Sequence, residues 1–288
     1  MKPLVVISHY DRRSIAPLEG LLDSLDHHPA GVDHERVICV NTTGAPALPD
    51  YLKRRVHGVL ERNNSGMNIG AWDAAWRHWR GRPAYLFLQD ECFAVRDGWM
   101  AQVLQALQVP GVGLVGESPN PGWDKPWDVL RDGPGKAALP EHFINGEPAN
   151  RVDVYLHHIR RYGIDPGEGG RHLRSLAWAL RGPVLEQIGG FPLGANYGEC
   201  IAAEIGVSRS VVAHGMGLGM VGPAPFHVFR HHEWNQDTPG GAYSQKSPGL
   251  EIARLREENA ALRARLENPT LADLWRALRR RGRARVVK

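Results

Sequence analysis

Two adjacent carboxylates, Asp90 and Glu91, close the apolar run Tyr85-Leu86-Phe87-Leu88-Gln89. Acids delivered at the carboxyl end of a buried strand lie where open α/β sheets bind ligands, in the crevice outside the strand ends. Their hard oxygens suit a divalent cation such as Mg2+ or Mn2+, which keeps waters and bridges phosphates. A plain strand and polar turn reads the same way on its own, so the neighbours matter. Asn64-Ser65-Gly66-Met67-Asn68-Ile69-Gly70 sets Gly and Asn at the entrance to a helix, where left-handed backbone and close approach to a ligand are both cheap. A helix-initiating turn uses the same residues, and the Gly-Xaa-Gly-Xaa-Xaa-Gly spacing of a dinucleotide fingerprint is absent. Further on, His227 and His231 alternate with apolar residues in Phe226-His227-Val228-Phe229-Arg230-His231-His232, so a strand would place both on one face. They are candidates for a metal or phosphate, with a structural role as the alternative.

The elements that must position these groups are legible as periodicities. Leu4 to Ser8 reads as a buried strand that runs into the polar cluster His9-Tyr10-Asp11-Arg12-Arg13, and Ile15 to Leu25 as an amphipathic helix. Arg36 to Val40 is a second strand ending in Asn41-Thr42-Thr43-Gly44, Val56 to Leu60 a third, and Ala71 to Trp79 a helix. That alternation predicts a mostly parallel α/β sheet with Tyr85 to Leu88 central and ligand-facing loops after Ser8, Asn41, Glu61 and Gln89. Residues 116 to 170 are rich in Pro, Gly, His and Trp and carry no assignable period, as binding loops often do not. Trp123, Trp127 and Trp178 are candidates to stack on a ligand face, against core packing as the commoner role of buried Trp. Order returns at Leu173 to Gly182 and in a helix from Pro183 to Ile188, stopped by Gly189-Gly190.

The chain has 288 residues, 42% of them hydrophobic and 23% charged, the balance of a globular protein. Cys39, Cys92 and Cys200 are widely spaced and form no Cys-Xaa-Xaa-Cys, which points away from a disulfide framework or a zinc ribbon and towards a reducing compartment. Neither a signal peptide nor a membrane span is expected. The net charge of +4 is concentrated at one end: Arg276, Arg279, Arg280, Arg281, Arg283, Arg285 and Lys288 stand against the single acid Asp273 after Pro269. The body is thus slightly acidic, and no nucleic-acid binding is expected of it.

In series, these segments resemble the inverting glycosyltransferases of the GT-A fold, especially the family 2 type that includes bacterial O-antigen and rhamnan-type sugar transferases. The resemblance covers residues 3 to about 235. It implies a Rossmann-like, mostly parallel sheet flanked by helices, a nucleoside diphosphate sugar as donor and a divalent cation. On it, the strand-end motif Ser8-His9-Tyr10-Asp11 contacts the nucleotide, Asn41 lies near the base, and Asn64, Gly66 and Asn68 form the element before the helix. Gln89-Asp90-Glu91 takes the place of the Asp-Xaa-Asp metal motif. Arg181 matches an Arg ahead of Gly189-Gly190-Phe191, and Glu199-Cys200 matches an acidic pair. Gln89 stands where the first Asp would be, so the ion would rest on Asp90 and Glu91, with His227 or His231 completing the site. Cys200 cannot serve as a carboxylate base, which leaves Glu199 as the general base and Glu204 in reserve. The implied reaction displaces a nucleoside diphosphate from an anomeric carbon by an acceptor hydroxyl. The acceptor would be a surface polysaccharide or a lipid-linked glycan. The alternative, drawn from Gln89 and Cys200, is a catalytically silent glycosyltransferase-like scaffold that binds partners through its carboxyl end.

That end reads as a separate extension, a short coiled coil at 246–268 and a basic amphipathic segment at 269–288. Ile252, Asn259 and Leu266 share one heptad position and Leu255 and Leu262 the partner position, the pattern of a homodimer through residues 250–267 or of packing on the parent domain. Leu271, Leu274, Trp275 and Leu278 form an apolar stripe beside the Arg-rich end, as in a helix that lies on an anionic membrane. The expected setting is cytoplasmic, with this tail holding the protein peripherally at the inner face of the plasma membrane. Nucleic-acid contact by the tail, or a merely solubilising tail, is the alternative.

Overall fold

A computed structural model describes residues 1–44, 48–133 and 142–232. The coiled coil expected at 246–268 and the basic segment at 269–288 lie outside the described residues. The first half alternates as its periodicities require. Strand β1 (Leu4–Tyr10) is followed by helix α1 (Ala16–His27), β2 (Glu35–Thr42), the short α2 (Asp50–Lys53), β3 (Gly58–Asn63), α3 (Met67–His78) and β4 (Ala84–Gln89). Helix α1 buries Leu18, Leu21, Leu22 and Leu25, one stripe at the helical repeat. Strands β1 and β4 are buried on both faces, which is why they read as unbroken apolar runs.

The chain then passes through β5 (Cys92–Ala94), α4 (Trp99–Leu107), β6 (Val112–Gly116), α5 (Trp127–Asp132), the hairpin β7 (Phe143–Ile144) and β8 (Glu147–Pro148), and α6 (Arg151–Arg161). It returns with β9 (Ala177–Arg181), α7 (Gly182–Ile188), α8 (Tyr197–Ala213), β10 (Gly217–Met220) and β11 (Phe229–His231). The seven-stranded sheet has the order β10-β6-β9-β4-β1-β2-β3. Strand β9 alone runs against its neighbours β4 and β6; the β1–β2, β1–β4, β2–β3 and β6–β10 pairs are parallel. The mostly parallel α/β sheet expected from the sequence is therefore present. Strand β11 pairs antiparallel with β5 in a second, two-stranded sheet.

Two element starts in the first half differ from the sequence reading by two residues or more. The third strand starts at Gly58 rather than Val56, because His57 N–H is taken by Arg36 O and the β2 register begins with Val37 opposite Gly58. Helix α3 starts four residues earlier than Ala71, after Gly66 in a left-handed conformation (φ 73°). A Cβ at Gly70 would lie 2.1 Å from Ser65 O, so only glycine allows this entry.

The main core lies between the sheet and helices α3, α7 and α8 and is built on Trp72, Trp76, Tyr85, Phe87, Trp178 and Phe191. The long unassigned stretch has its own core, in which Trp123, Trp127, Leu130, Tyr155 and Ile159 pack on Ala202 and Ile205 of α8. Trp178 is wholly buried, and Trp123 and Trp127 are nearly so, which makes all three core residues rather than open stacking faces. The Gly-Gly-Phe signal also has a packing origin. Asp73, buried on α3, accepts from Phe191 N–H at 3.0 Å and from Arg77, and a Cβ on Gly190 would meet the Asp73 carboxylate at 2.5 Å.

Candidate active site at the carboxyl rim of the sheet

Parallel pairing brings the carboxyl ends of β1, β2, β3 and β4 to one rim. Tyr10 stands opposite Asn41 and Asn41 opposite Arg62, while Ser8 stands opposite Gln89. Because β9 runs the other way, its amino end and the preceding Ser175 and Leu176 reach the same rim. Four clusters of polar groups line it.

The first lies after β1 and β2. The Asp11 carboxylate accepts from Thr42 Oγ1 (2.8 Å), Thr43 N–H (2.7 Å) and Thr43 Oγ1 (3.1 Å), and so fixes the turn after β2. Ser8 is buried and donates to Leu88 O, so it ties β1 to β4, and Tyr10 is half-buried above it. The second cluster joins β2, β3 and α3. Asn41 donates to Met67 O (3.0 Å) and accepts from Arg62 (2.6 Å), which also donates to Ser65 O. The amino end of α3 therefore sits at the rim without a side-chain cap, with Gly66 buried and Asn64 and Asn68 half-buried on either side. Uncapped helix N–H groups at such a place favour an anion.

The third cluster follows β4, and here the adjacent acids separate. Asp90 turns inward, its Oδ2 2.5 Å from His9 Nδ1, and both side chains are buried. Glu91 turns outward, its Oε1 2.5 Å from Arg13 and its Oε2 3.6 Å from His231 Nε2. Burial raises the Glu91 pKa, but His231 and Arg13 outweigh it and hold the carboxyl below its ordinary value. The β5–β11 pairing carries His231 to this point, with Cys92 opposite His231. His227 precedes β11 and packs over Gly222, while its carbonyl accepts from Arg96. Among the described residues no group of three His, Cys, Asp or Glu side chains could hold an ion. Glu91 and His231 remain as an oxygen and a nitrogen donor on one side of the rim, a set that fits a Mg2+- or Mn2+-like ion sharing its coordination with phosphate and water.

The fourth cluster carries a base. Gln89 donates to Ser175 O (2.8 Å), and Ser175 N–H donates to Glu204 Oε1. Glu204 also lies 4.0 Å from His172 Nε2; burial pushes that imidazole below its ordinary pKa, and its Nδ1 is 2.6 Å from Gly170 O. Glu199 is engaged differently. It accepts twice from Arg161 at 3.0 Å and from Ala195 N–H at 2.8 Å, at the first turn of α8. Burial raises its pKa, and the Ala195 N–H and the Arg161 guanidinium outweigh that and leave it low. Cys200 beside it is buried, and desolvation pushes its thiol up to about 11. Arg181 is at the opposite end of the sheet, across from Ala84, where it donates to Leu107 O and Val112 O.

The structure adds residues to the rim that the sequence did not single out. Arg13 lies inside a noted polar cluster, but only the fold directs it to Glu91. Ser175 and His172 precede β9 and carry no motif. Glu117, just beyond β6, is buried and accepts from Val228 N–H and Phe229 N–H, which holds the segment leading into β11. A carboxylate directly after an apolar strand was a signal available at Val112 to Gly116.

No protein-family model and no curated protein matches the chain. Among solved structures it is similar to the mannosyltransferase PcManGT from Pyrobaculum calidifontis in complex with GDP-Man and Mn2+, at 16% identity over 100% of this chain and 81% of that one, with a TM-score of 0.49. It is also similar to S. aureus TarS, at 14% identity over 80% of this chain and 36% of that one, with a TM-score of 0.43.

Proposed function

We propose that the protein transfers a sugar from a nucleoside diphosphate donor to an acceptor hydroxyl, with inversion at the anomeric carbon. The observation that carries this is the position of Gln89. Its side chain meets His231, beside Glu91, through Oε1 and reaches Ser175, which binds Glu204, through Nε2. A candidate site for the leaving diphosphate and a candidate carboxylate base thus flank one residue, as a displacement with the base and the leaving group on different sides of the sugar needs.

In this reading Arg62 and Asn41 hold the rim beside the nucleoside, and the open amino end of α3 and Arg13 face the diphosphate. A divalent ion held by Glu91 and His231 would neutralise charge that builds on the departing phosphate. Glu204 takes the acceptor's proton as its oxygen bonds to the anomeric carbon and the bond to the diphosphate oxygen breaks. Its bond from Ser175 N–H orients the carboxylate. Glu199, bound twice to Arg161, shapes the start of α8 instead. The acceptor, a glycan or a lipid-linked one, follows from the sequence resemblance and from the basic segment at 269–288.

Thermal denaturation with UDP-, GDP-, dTDP- and CMP-sugars, each with Mn2+ or chelator, tests the reading. Ligand at a hundred times its dissociation constant adds about 2.7 kcal/mol, a shift of several degrees. One diphosphate donor class should raise Tm, and the CMP-sugar, which has no diphosphate, should not. The neutral thiol of Cys200 where a carboxylate is expected favours the silent scaffold as the second reading. Donor binding without transfer or donor hydrolysis would select it.

A further inference from the structure

We propose that His172 is a positioning partner of the base: its Nε2 shares the proton that Glu204 Oε2 takes from the acceptor, so that the imidazole acts through the carboxylate. The proposal rests on the transferase reading and adds where the acceptor's proton is held.

Backbone pairing fixes His172 in place. Residues 118–120, just past β6, run antiparallel to 172–174: Asn120 N–H donates to His172 O (3.1 Å), Arg174 N–H donates to Ser118 O (2.9 Å), and Pro119 is bridged to Leu173. Leu173 N–H donates to Ser208 Oγ, one turn after Glu204, which ties this segment to the helix that carries the base. The imidazole is buried beside Trp123. Its Nδ1 lies 2.6 Å from Gly170 O, a carbonyl that can only accept, so in the neutral ring Nδ1 carries the hydrogen and Nε2 keeps a lone pair. Asn120 Nδ2 is 3.3 Å from Nε2, and Glu204 Oε2 is 4.0 Å from it.

The charges that face the ring are Glu204 from α8, Arg174 from its own segment and Asp124 from the loop after β6. Desolvation is the largest influence and holds the ring below its ordinary pKa; Arg174 adds to it, while Glu204, the Gly170 carbonyl and Asp124 oppose it. A ring of that kind is neutral at neutral pH and ready to accept.

The two oxygens of Glu204 have different surroundings. Oε1 accepts from Ser175 N–H, while Oε2 is the oxygen turned to His172. As the acceptor oxygen bonds to the anomeric carbon, the electron pair of the breaking bond leaves on the diphosphate and the acceptor's proton passes to Oε2. The new O–H is a donor, and Nε2 is the acceptor beside it; a closure of about 1 Å brings them to hydrogen-bond distance. The buried O–H is thereby satisfied, and its proton leaves to water with the product. A protonated imidazole would reverse this, because its Nε2–H would donate to Oε2 and occupy the oxygen that the substrate needs.

The test is release of nucleoside diphosphate from whichever UDP-, GDP- or dTDP-sugar raises Tm, with water as acceptor, followed with the full chain from about pH 5 to about pH 9. His172→Gln keeps a polar side chain and cannot take up a proton; it should lower kcat about tenfold, leave the donor KM unchanged and move the acid limb of kcat to lower pH. Asn120→Asp sets a carboxylate against Nε2 and favours the imidazolium, so it should move that limb to higher pH. In a Glu204→Gln background His172→Gln should cost nothing further, whereas a histidine that only supports the fold would cost the same factor in both backgrounds. If His172→Gln fails to fold by circular dichroism, the Asn120→Asp profile and nitrogen NMR of the parent imidazole, expected to carry its hydrogen on Nδ1, still decide. An unmoved acid limb, equal losses in the two backgrounds, or hydrogen on Nε2 would overturn the proposal and leave Glu204 to act alone. A parent protein that binds no donor, or binds one without cleaving it, ends the transferase reading and this proposal with it.

Discussion

The carboxylate of Asp90 is 2.5 Å from His9 Nδ1 inside the protein, while that of Glu91, one residue on, is at the rim with Arg13 and His231. Adjacent residues leaving an extended strand point to opposite sides, so two acids in a row divide between an internal tie and an open site.

That division separates the effects of two substitutions. Asp90→Ala leaves buried His9 without its partner and should destabilise the fold by about 3 kcal/mol or more. Glu91→Gln should change stability by less than about 1 kcal/mol, since Arg13 is largely solvated, yet remove Mn2+ binding. Urea denaturation and Mn2+ titration of both variants check this, and the reverse pattern would place the ion on Asp90.

The two candidate bases should also part. Glu204→Gln should lower kcat by about 100-fold or more with KM little changed, the loss expected for a general base. Glu199→Gln should keep kcat within about tenfold and lower stability by about 1 kcal/mol through the weakened Arg161 pair. Steady-state kinetics of the two variants distinguish them.

Glu117 gives a pH dependence opposite to that of most carboxylates. Burial pushes its pKa up to about 7, against which the backbone N–H groups of Val228, Phe229 and His227 pull down. The folded state then holds a proton that the unfolded chain has released, so this group lowers stability as pH rises from about 4.5 to about 7. Glu117→Gln, which resembles the protonated acid, should gain on the parent protein between pH 5 and pH 8. Unfolding free energies of both proteins at the two pH values measure the difference, and a gap that does not change with pH would refute it.

Gly190 should resist substitution. Its φ of 92° strains any side chain, and an added Cβ would meet both Asp73 and the Trp76 ring. Gly190→Ala should cost more than about 2 kcal/mol, read as a fall in Tm.

The contrast between the readable and unreadable parts of the molecule has physical causes. Strands β1 and β4 were evident because burial on both faces demands uninterrupted apolar residues, and α3 was evident from its Gly and Asn entrance. The place of Arg181 could not be read, because its position beside an apolar segment says nothing about strand direction. Strand β9 runs antiparallel, which takes Arg181 to the far end of the sheet. His231 meets Glu91 through pairing of β11 with β5, a contact between distant segments that leaves no local period. Trp123, Trp127, Leu130, Tyr155 and Ile159 pack with Ala202 and Ile205 of α8, and the order of these parts comes from that packing rather than from a repeat of their own. The choice of Glu204 over Glu199 depends on which carboxylate an arginine already occupies.

The late arrival of β9 between β4 and β6 has a consequence for synthesis. As the chain leaves the ribosome, β4 is complete at Gln89, but the strand that covers its open edge is not made until Ala177–Arg181. For the time taken to add some ninety residues, the nascent sheet ends in an apolar strand with free backbone donors and acceptors. Such an edge is a template for pairing with a second nascent chain. Newly made protein should therefore depend on chaperones and dilute expression far more than the finished seven-stranded sheet does, and truncation anywhere before residue 181 should yield aggregate in place of a smaller domain.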